Sequence, residues 1–211
     1  MIYSNCHTHT SFCDGKNSAD EMTLAAIEKG FVSLGFSGHS PMYYETDWTM
    51  TKDNLRNYIK AVHEAKAKYS DKIDVLCGIE LDADYSDVDL SDFDFIIASV
   101  HQLHGNGKIY SVDLSPDELS ECVETVFGGS WNEMAKTYFN NLADFVISGD
   151  FDVVGHFDLI TKFNGKTPLF DENNEEYKAY ALAALDRILD IKPRILFEVN
   201  TGAMYRSVAW K

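Results

Sequence analysis

Two imidazoles and a carboxylate stand close together near the start of the chain, in His7-Thr8-His9 followed by Asp14. On an extended backbone, residues two apart point to the same side, so His7 and His9 can offer ring nitrogens to a single point. Imidazole is a good ligand for zinc, iron or manganese, and a carboxylate adds a hard oxygen that balances charge. A lone His-x-His also fits a polar loop, so the motif needs support from the rest of the chain. Four further residues of the same chemistry recur at intervals: His39, Glu80, His101 and His156. Glu198 lies further on, and Cys6, Cys13, Cys77 and Cys122 are scattered without a C-x-x-C pair, which suits reduced thiols better than disulfides.

The elements that must position these residues alternate. A first strand covers Met1 to Cys6 and delivers the His pair. Ser18-Ala19-Asp20-Glu21 reads as a capping box that opens a helix running to about Lys29, where Gly30 ends it. Val32 to Phe36 reads as the second strand, with Ser37-Gly38-His39-Ser40-Pro41 directly after it. Thr51 caps the next helix, whose Leu55, Ile59, Val62, Ala65 and Tyr69 recur at helical spacing, while His63, beside that stripe, is read as a structural or surface histidine. Ile73 to Ile79 is a third strand that ends in Glu80, and Phe93 to Val100 a fourth that ends in His101. By strand parity Cys6 and Cys77 point away from His7 and Glu80 and pack against helices.

The stretch Gln102 to Gly107 reads as a loop, in which His104 either helps to hold a substrate or is simply exposed. Ser115-Pro116-Asp117-Glu118 and Ser130-Trp131-Asn132-Glu133 read as two more capping boxes. Phe151 to Gly155 is a fifth strand followed by His156, Asn174 to Ile191 a long helix, and Arg194 to Val199 a sixth strand carrying Glu198. Strands that alternate with helices imply an α/β fold with a parallel sheet and right-handed crossovers. Ligands then gather beyond the carboxyl ends of the strands, in barrel or open sheet alike. His7, His9, His39, Glu80, His101, His156 and Glu198 all map to that end.

Composition narrows the function. A chain of 211 residues with 45% hydrophobic content supports one domain, residues 1–211, with a substantial core. No apolar run reaches membrane-spanning length and no basic, apolar leader precedes the His pair, so a cytoplasmic protein is expected. A formal charge of −16 argues against nucleic acid as a partner. An anionic substrate would need locally positive groups, which bound cations would supply.

His7-Thr8-His9 with Asp14, Ser37-Gly38-His39-Ser40, Gly78-Ile79-Glu80, Ser99-Val100-His101, Gly155-His156-Phe157-Asp158 and Phe197-Glu198-Val199-Asn200-Thr201-Gly202 together resemble the polymerase-and-histidinol-phosphatase (PHP) family, in its histidinol-phosphatase branch. The likeness runs in order along essentially the whole chain. It implies a distorted (β/α)7 barrel, up to three divalent ions (zinc, manganese or iron), and hydrolysis of L-histidinol phosphate in histidine biosynthesis by attack of a metal-bridging hydroxide. By the same resemblance His7, His9 and Glu80 would hold one ion, Asp14 and His39 a second, and His101 and His156 a third. Arg206 and Lys162 are candidates for the phosphate oxygens, Arg206 foremost because its planar fork matches two of them. Glu198 would orient a ligand or hold a substrate ammonium.

Family members usually continue into a last strand ending in Asp-x-His, whereas here no Asp or His follows Glu198. The expectation is therefore a C-terminally truncated barrel of about six strands, with fewer than three tightly held ions. Its open edges would invite self-association. Two other functions stay open: a PHP phosphoesterase for another small phosphate, and an inactive remnant that binds metal.

Overall fold

The computed structural model describes residues 3–165 and 168–200. The chain divides into two compact units, Met1–Ile97 and Ala98–Lys211. The first opens with strand β1 (Tyr3–Asn5), helix α1 (Ala19–Glu28) and strand β2 (Phe31–Phe36), then helix α2 (Lys52–Lys68) and strand β3 (Asp74–Asp82). β1 pairs in parallel with β2, and β2 with β3 through Ser33 opposite Asp74 and Phe36 opposite Cys77. Past the end of β2 the pairing persists as a parallel bridge between His39 and Glu80, in which the Ser40 amide donates to the Glu80 carbonyl at 2.9 Å. Glu80 therefore lies inside β3, not beyond its end. The expected strand at Ile73–Ile79 is longer than its apolar run, because this ladder with the 38–40 segment continues it.

The core of this unit is laid down by α1 and α2 against the sheet. Leu34, Phe36, Val75 and Cys77 meet Ala19, Ala26, Val62, Ala65 and Tyr69. Tyr58, absent from the expected stripe, is fully buried, while Leu55 and Ile59 are only partly so. Helix α1 has the full capping box, with the Ser18 hydroxyl accepting from the Glu21 amide and the Glu21 carboxylate accepting from the Ser18 amide. Gly30 follows in the left-handed region at φ 76°, a conformation that costs glycine little. A Cβ on Gly78 would stand 2.3 Å from the Phe95 ring, so only glycine lets that ring lie on the sheet.

Strand β4 (Phe95–Ser99) is where the two units divide, and the main sheet has the order β1-β2-β3-β4-β7-β8. In the second unit the Gly155 amide donates to the Ala98 carbonyl at 2.9 Å, which places β7 (Val153–Val154) next in order. β7 pairs in parallel with β8 (Leu196–Phe197). The fifth and sixth strands are thus far shorter than the runs 151–155 and 194–199 suggest. The stretch read as a loop after His101 is instead an antiparallel hairpin, β5 (Gln102–Gly105) and β6 (Lys108–Ser111). Asn106 and Gly107 turn it at φ 54° and 76°, and positive φ at both central residues is what a tight hairpin turn requires.

Helices α3 (Pro116–Val126), α4 (Trp131–Ser148) and α5 (Glu175–Ile191) complete this unit. Only the first half of each expected capping box forms in α3 and α4. Ser115 and Ser130 accept from the amides of Glu118 and Glu133, but the Glu118 carboxylate accepts from the Ser111 amide at 2.8 Å and Glu133 faces Lys136. α4 buries Met134, Ala135, Tyr138, Phe139, Leu142 and Val146, and α5 meets it through Tyr177, whose ring lies 5.4 Å from that of Phe139. Arg187 on α5 adds an ion pair to Asp144 on α4. Among the described residues no helix is long and apolar enough to cross a membrane.

Candidate metal centre

In the first unit five of the expected residues come together. His7 and His9 leave the sheet on the extended segment after β1, past the strand proper, and the Thr8 hydroxyl donates to the Gly35 carbonyl at 2.6 Å to fix that segment beside β2. Glu80 comes from inside β3 and is completely buried. Its Oε2 stands 2.9 Å from His39 Nδ1, 3.2 Å from His7 Nε2 and 3.3 Å from His9 Nε2. The rings are tightly packed: His9 meets His39 edge-on at 4.4 Å, and the Trp48 ring closes on His39 at 4.6 Å.

Asp14 reaches the cluster by a turn. The amides of Cys13 and Gly15 both donate to the Thr10 carbonyl at 3.1 Å, folding the chain back on the His pair. A Cβ on Gly15 would come within 2.6 Å of the His9 backbone, so the fold-back needs glycine. Asp14 Oδ1 then lies 2.7 Å from His9 Nδ1 and 3.9 Å from His39 Nε2. His9 is thereby held between two carboxylates.

The electrostatics follow. Burial would make His9 a weaker base, but hydrogen bonds to Asp14, Cys13 and Glu80 outweigh it and hold the ring well above the ordinary imidazole value. Burial likewise opposes ionisation of Asp14, yet the contacts with His9 and His39 bring it down to about 2. Cys13 is the residue that sequence reasoning passed over here. Burial would raise its thiol, but His9 and the His39 backbone amide bring it below the usual cysteine range. No sequence signal marks Cys13 beyond its place beside Asp14.

The donor set fits a divalent cation. One carboxylate oxygen offers about two lone pairs, yet three imidazole nitrogens converge on Glu80 Oε2. His9, His39 and Glu80 place one donor atom each within 4.8 Å of one another, and His9, Cys13 and Asp14 do the same. Neutral imidazoles with a carboxylate are the ligands that zinc, iron and manganese accept.

In the second unit His101 and His156, both buried, face each other with ring centroids 4.8 Å apart. Glu198 Oε2 accepts from the His156 backbone amide at 2.9 Å, so the residue just past β8 fixes the segment after β7. Lys162 donates to Asp113 twice, to its carbonyl at 2.8 Å and its Oδ2 at 2.9 Å. Burial would raise the Asp113 carboxyl, but His101, Lys162 and His156 together pull it below the carboxylate range. Asp113, just after the hairpin, is a second residue the sequence reading did not single out. His104 is exposed on β5, and Arg206 lies outside the described residues.

Comparison with known proteins gives the chain a family. The PHP domain family model matches residues 5–202, and the chain belongs to that family. It is 28% identical over 213 residues to the "Probable histidinol-phosphatase" of Deinococcus radiodurans, covering 96% of this chain and 75% of that protein. It is 26% identical over 210 residues to the "Histidinol-phosphatase" of Lactococcus lactis, covering 94% and 74%. Among solved structures, the HisK protein of Listeria monocytogenes superposes with a TM-score of 0.80 at 22% identity, over 98% of this chain and 85% of that one. Histidinol phosphate phosphatase from Lactococcus lactis, in complex with zinc, L-histidinol and phosphate, superposes at 0.64 and 21% identity, over 94% of this chain and 73% of that one. These likenesses show the fold, the α/β PHP type, here with six strands in the main sheet.

Proposed function

We propose that residues 1–211 form one PHP phosphoesterase domain, a metal-dependent phosphomonoester hydrolase of the cytoplasm whose substrate is L-histidinol phosphate. The observation that carries this reading is the convergence of His7, His9 and His39 on the buried Glu80. Its support from relatives is that the two histidinol-phosphatases span almost the whole chain. The formal charge of −16 favours a small substrate over nucleic acid.

In this reading His7, His9, His39, Glu80 and Asp14 hold divalent ions, zinc, manganese or iron, and His101 and His156 hold another. Such an ion supplies Lewis acidity for the phosphoryl oxygens and makes a water more acidic. The chain's own contributions are geometric. The Glu80 backbone is held to the segment that carries His39 by two ladder bonds, its amide donating to the Gly38 carbonyl and its carbonyl accepting from the Ser40 amide. Trp48 packs edge-on against His39 and limits the orientations open to that ring. Lys162 brings a positive charge to Asp113, whose carboxylate also interacts with His101 and His156. Glu198 positions His156 through its backbone amide, and Arg206 remains the candidate for a bidentate grip on phosphate. Hydrolysis then adds water across the phosphorus–oxygen ester bond, leaving an alcohol and inorganic phosphate.

The test is phosphate release from a panel of phosphomonoesters with zinc or manganese, run beside Glu80→Gln. Fastest turnover on L-histidinol phosphate, reduced more than about a hundredfold in the variant, is the expected result. Faster turnover on a nucleotide or phosphotyrosine would replace the substrate, and no turnover with metal bound would leave a metal-binding remnant.

A further inference from the structure

We propose that Cys13 is a metal-facing ligand whose sulfur joins His9 and Asp14 in a mixed donor set, biasing this edge of the site towards a thiophilic ion such as zinc over manganese. The inference rests on the metal-binding reading above and adds to it a ligand and a metal preference. The plain alternative is a thiol that only fills space, since Cys13 does pack against the core beside Phe12. Three observations favour the ligand.

The first is distance. One donor atom from each of His9, Cys13 and Asp14 lies within 4.8 Å of the others. Around a tetrahedral zinc, with bonds of about 2.0 Å to nitrogen and about 2.3 Å to sulfur, neighbouring donors stand roughly 3.5 Å apart. Small rotations of the exposed Asp14 and the partly buried Cys13 about the held His9 ring would close that gap.

The second is how the backbone aims the sulfur. The turn from Thr10 to Gly15 exists only because residue 15 is glycine, and it brings positions 13 and 14 back to His9 together. A Cβ on Gly38 would come within 3.2 Å of Cys13 Sγ, so the neighbouring segment that carries His39 also leaves room for the sulfur. Its only backbone acceptor among the described contacts is the Thr10 carbonyl at 3.5 Å, a weak tie that a metal bond would readily replace.

The third is chemistry. Thiolate is a soft donor that selects zinc or cobalt, whereas manganese prefers oxygen. A site of two imidazoles and a carboxylate, such as His9, His39 and Glu80, makes no such distinction.

Cobalt(II) is the probe, because a cobalt–thiolate bond adds near-ultraviolet charge-transfer absorption to the visible bands that any bound cobalt shows. The full chain, metal-stripped and reloaded, should show both, and Cys13→Ser should keep the visible bands while losing the charge-transfer band. Zinc-over-manganese preference in competition should fall at least tenfold in the variant. Because Cys13→Ser could disturb the turn, the native protein gives a second reading: zinc should slow alkylation of Cys13 at least tenfold while manganese leaves it unchanged. Visible bands without charge transfer in the native chain, or equal alkylation rates with and without zinc, would overturn the ligand while leaving the metal site intact. A charge-transfer band that survives in Cys13→Ser would assign the sulfur to another cysteine. No visible bands at all would remove the metal-binding reading itself, and the Cys13 proposal with it.

Discussion

The hydroxyl of the fully buried Tyr58 donates to the Gly78 carbonyl at 2.7 Å. It also accepts from the Gly38 amide at 3.4 Å. One phenol on α2 thus ties together the two segments that deliver His39 and Glu80, each within two residues of the tie. Tyr58→Phe keeps the ring and strands both backbone groups in the core, a loss of about 1–3 kcal/mol. Urea unfolding of the metal-free chain should show a lower midpoint at unchanged slope. Zinc affinity should fall by about tenfold or more, as it does when outer supports of metal ligands are removed. An unchanged midpoint would mean that packing alone holds the two segments.

His9 and Asp14 make stability of the metal-free chain depend on pH from both sides. Asp14 is depressed to about 2, so its contribution is present above about pH 4 and disappears as pH falls towards that value. His9 is raised, so its contribution is complete below about pH 6.5 and disappears as pH climbs through the folded value. The native chain should exceed Asp14→Asn in melting temperature most between about pH 4 and 6.5, with the gap closing on either side. Metal must displace the His9 proton, so zinc uptake should release protons and weaken as pH falls. Melting curves in chelator across this range, with a proton-release measurement on adding zinc, check both signs. A gap that stays constant with pH would detach the pair from stability.

Much of the site is legible in the sequence because strand ends announce themselves. His39 follows the apolar run 31–36, and Glu80 closes the run before it, so simple alternation of strand and helix carries both to one end of the sheet. What sequence does not show is any residue whose role depends on a turn closing. Cys13 meets His9 only because Gly15 permits the fold-back. Asp113 meets Lys162, 49 positions away, only once the hairpin has formed. The Asn106-Gly107 pair that turns this hairpin is a strong local signal, but two four-residue strands show too little alternation to stand out. Tyr58 escapes because Leu55 and Ile59, at equally good helical spacing to Val62, draw the stripe to one side of it, and its hydroxyl acquires partners only from other segments.

Lys162, a substrate-binding candidate, also has a structural duty. Its two hydrogen bonds to Asp113 are only partly exposed, with side chains 22% and 26% accessible. Lys162→Met keeps the aliphatic stem and removes both bonds, which should cost about 1–2 kcal/mol. The Asp113 carboxyl, now without that cation, should titrate at higher pH. Lower melting temperature with a raised KM is the expected pair of results. A raised KM with melting unchanged would assign Lys162 to substrate alone.

The thiols offer a separate readout of each unit. Burial pushes Cys77 in β3 up to about 12 and Cys122 in α3 up to about 11, whereas the thiolate is the species that reacts with alkylating agents. At pH 8 the thiolate fraction of either is about one in a thousand or less, and both side chains are covered. In the native protein, iodoacetamide should therefore modify the half-exposed Cys6 ahead of Cys77 and Cys122, which should become reactive only as their surroundings open. Because Cys77 belongs to the first unit and Cys122 to the second, peptide mapping along a urea series dates the opening of each core. Coincident transitions would show one cooperative unfolding event, and separate ones would show that each core holds by itself. Rapid modification of Cys77 without denaturant would contradict the buried position it takes in β3.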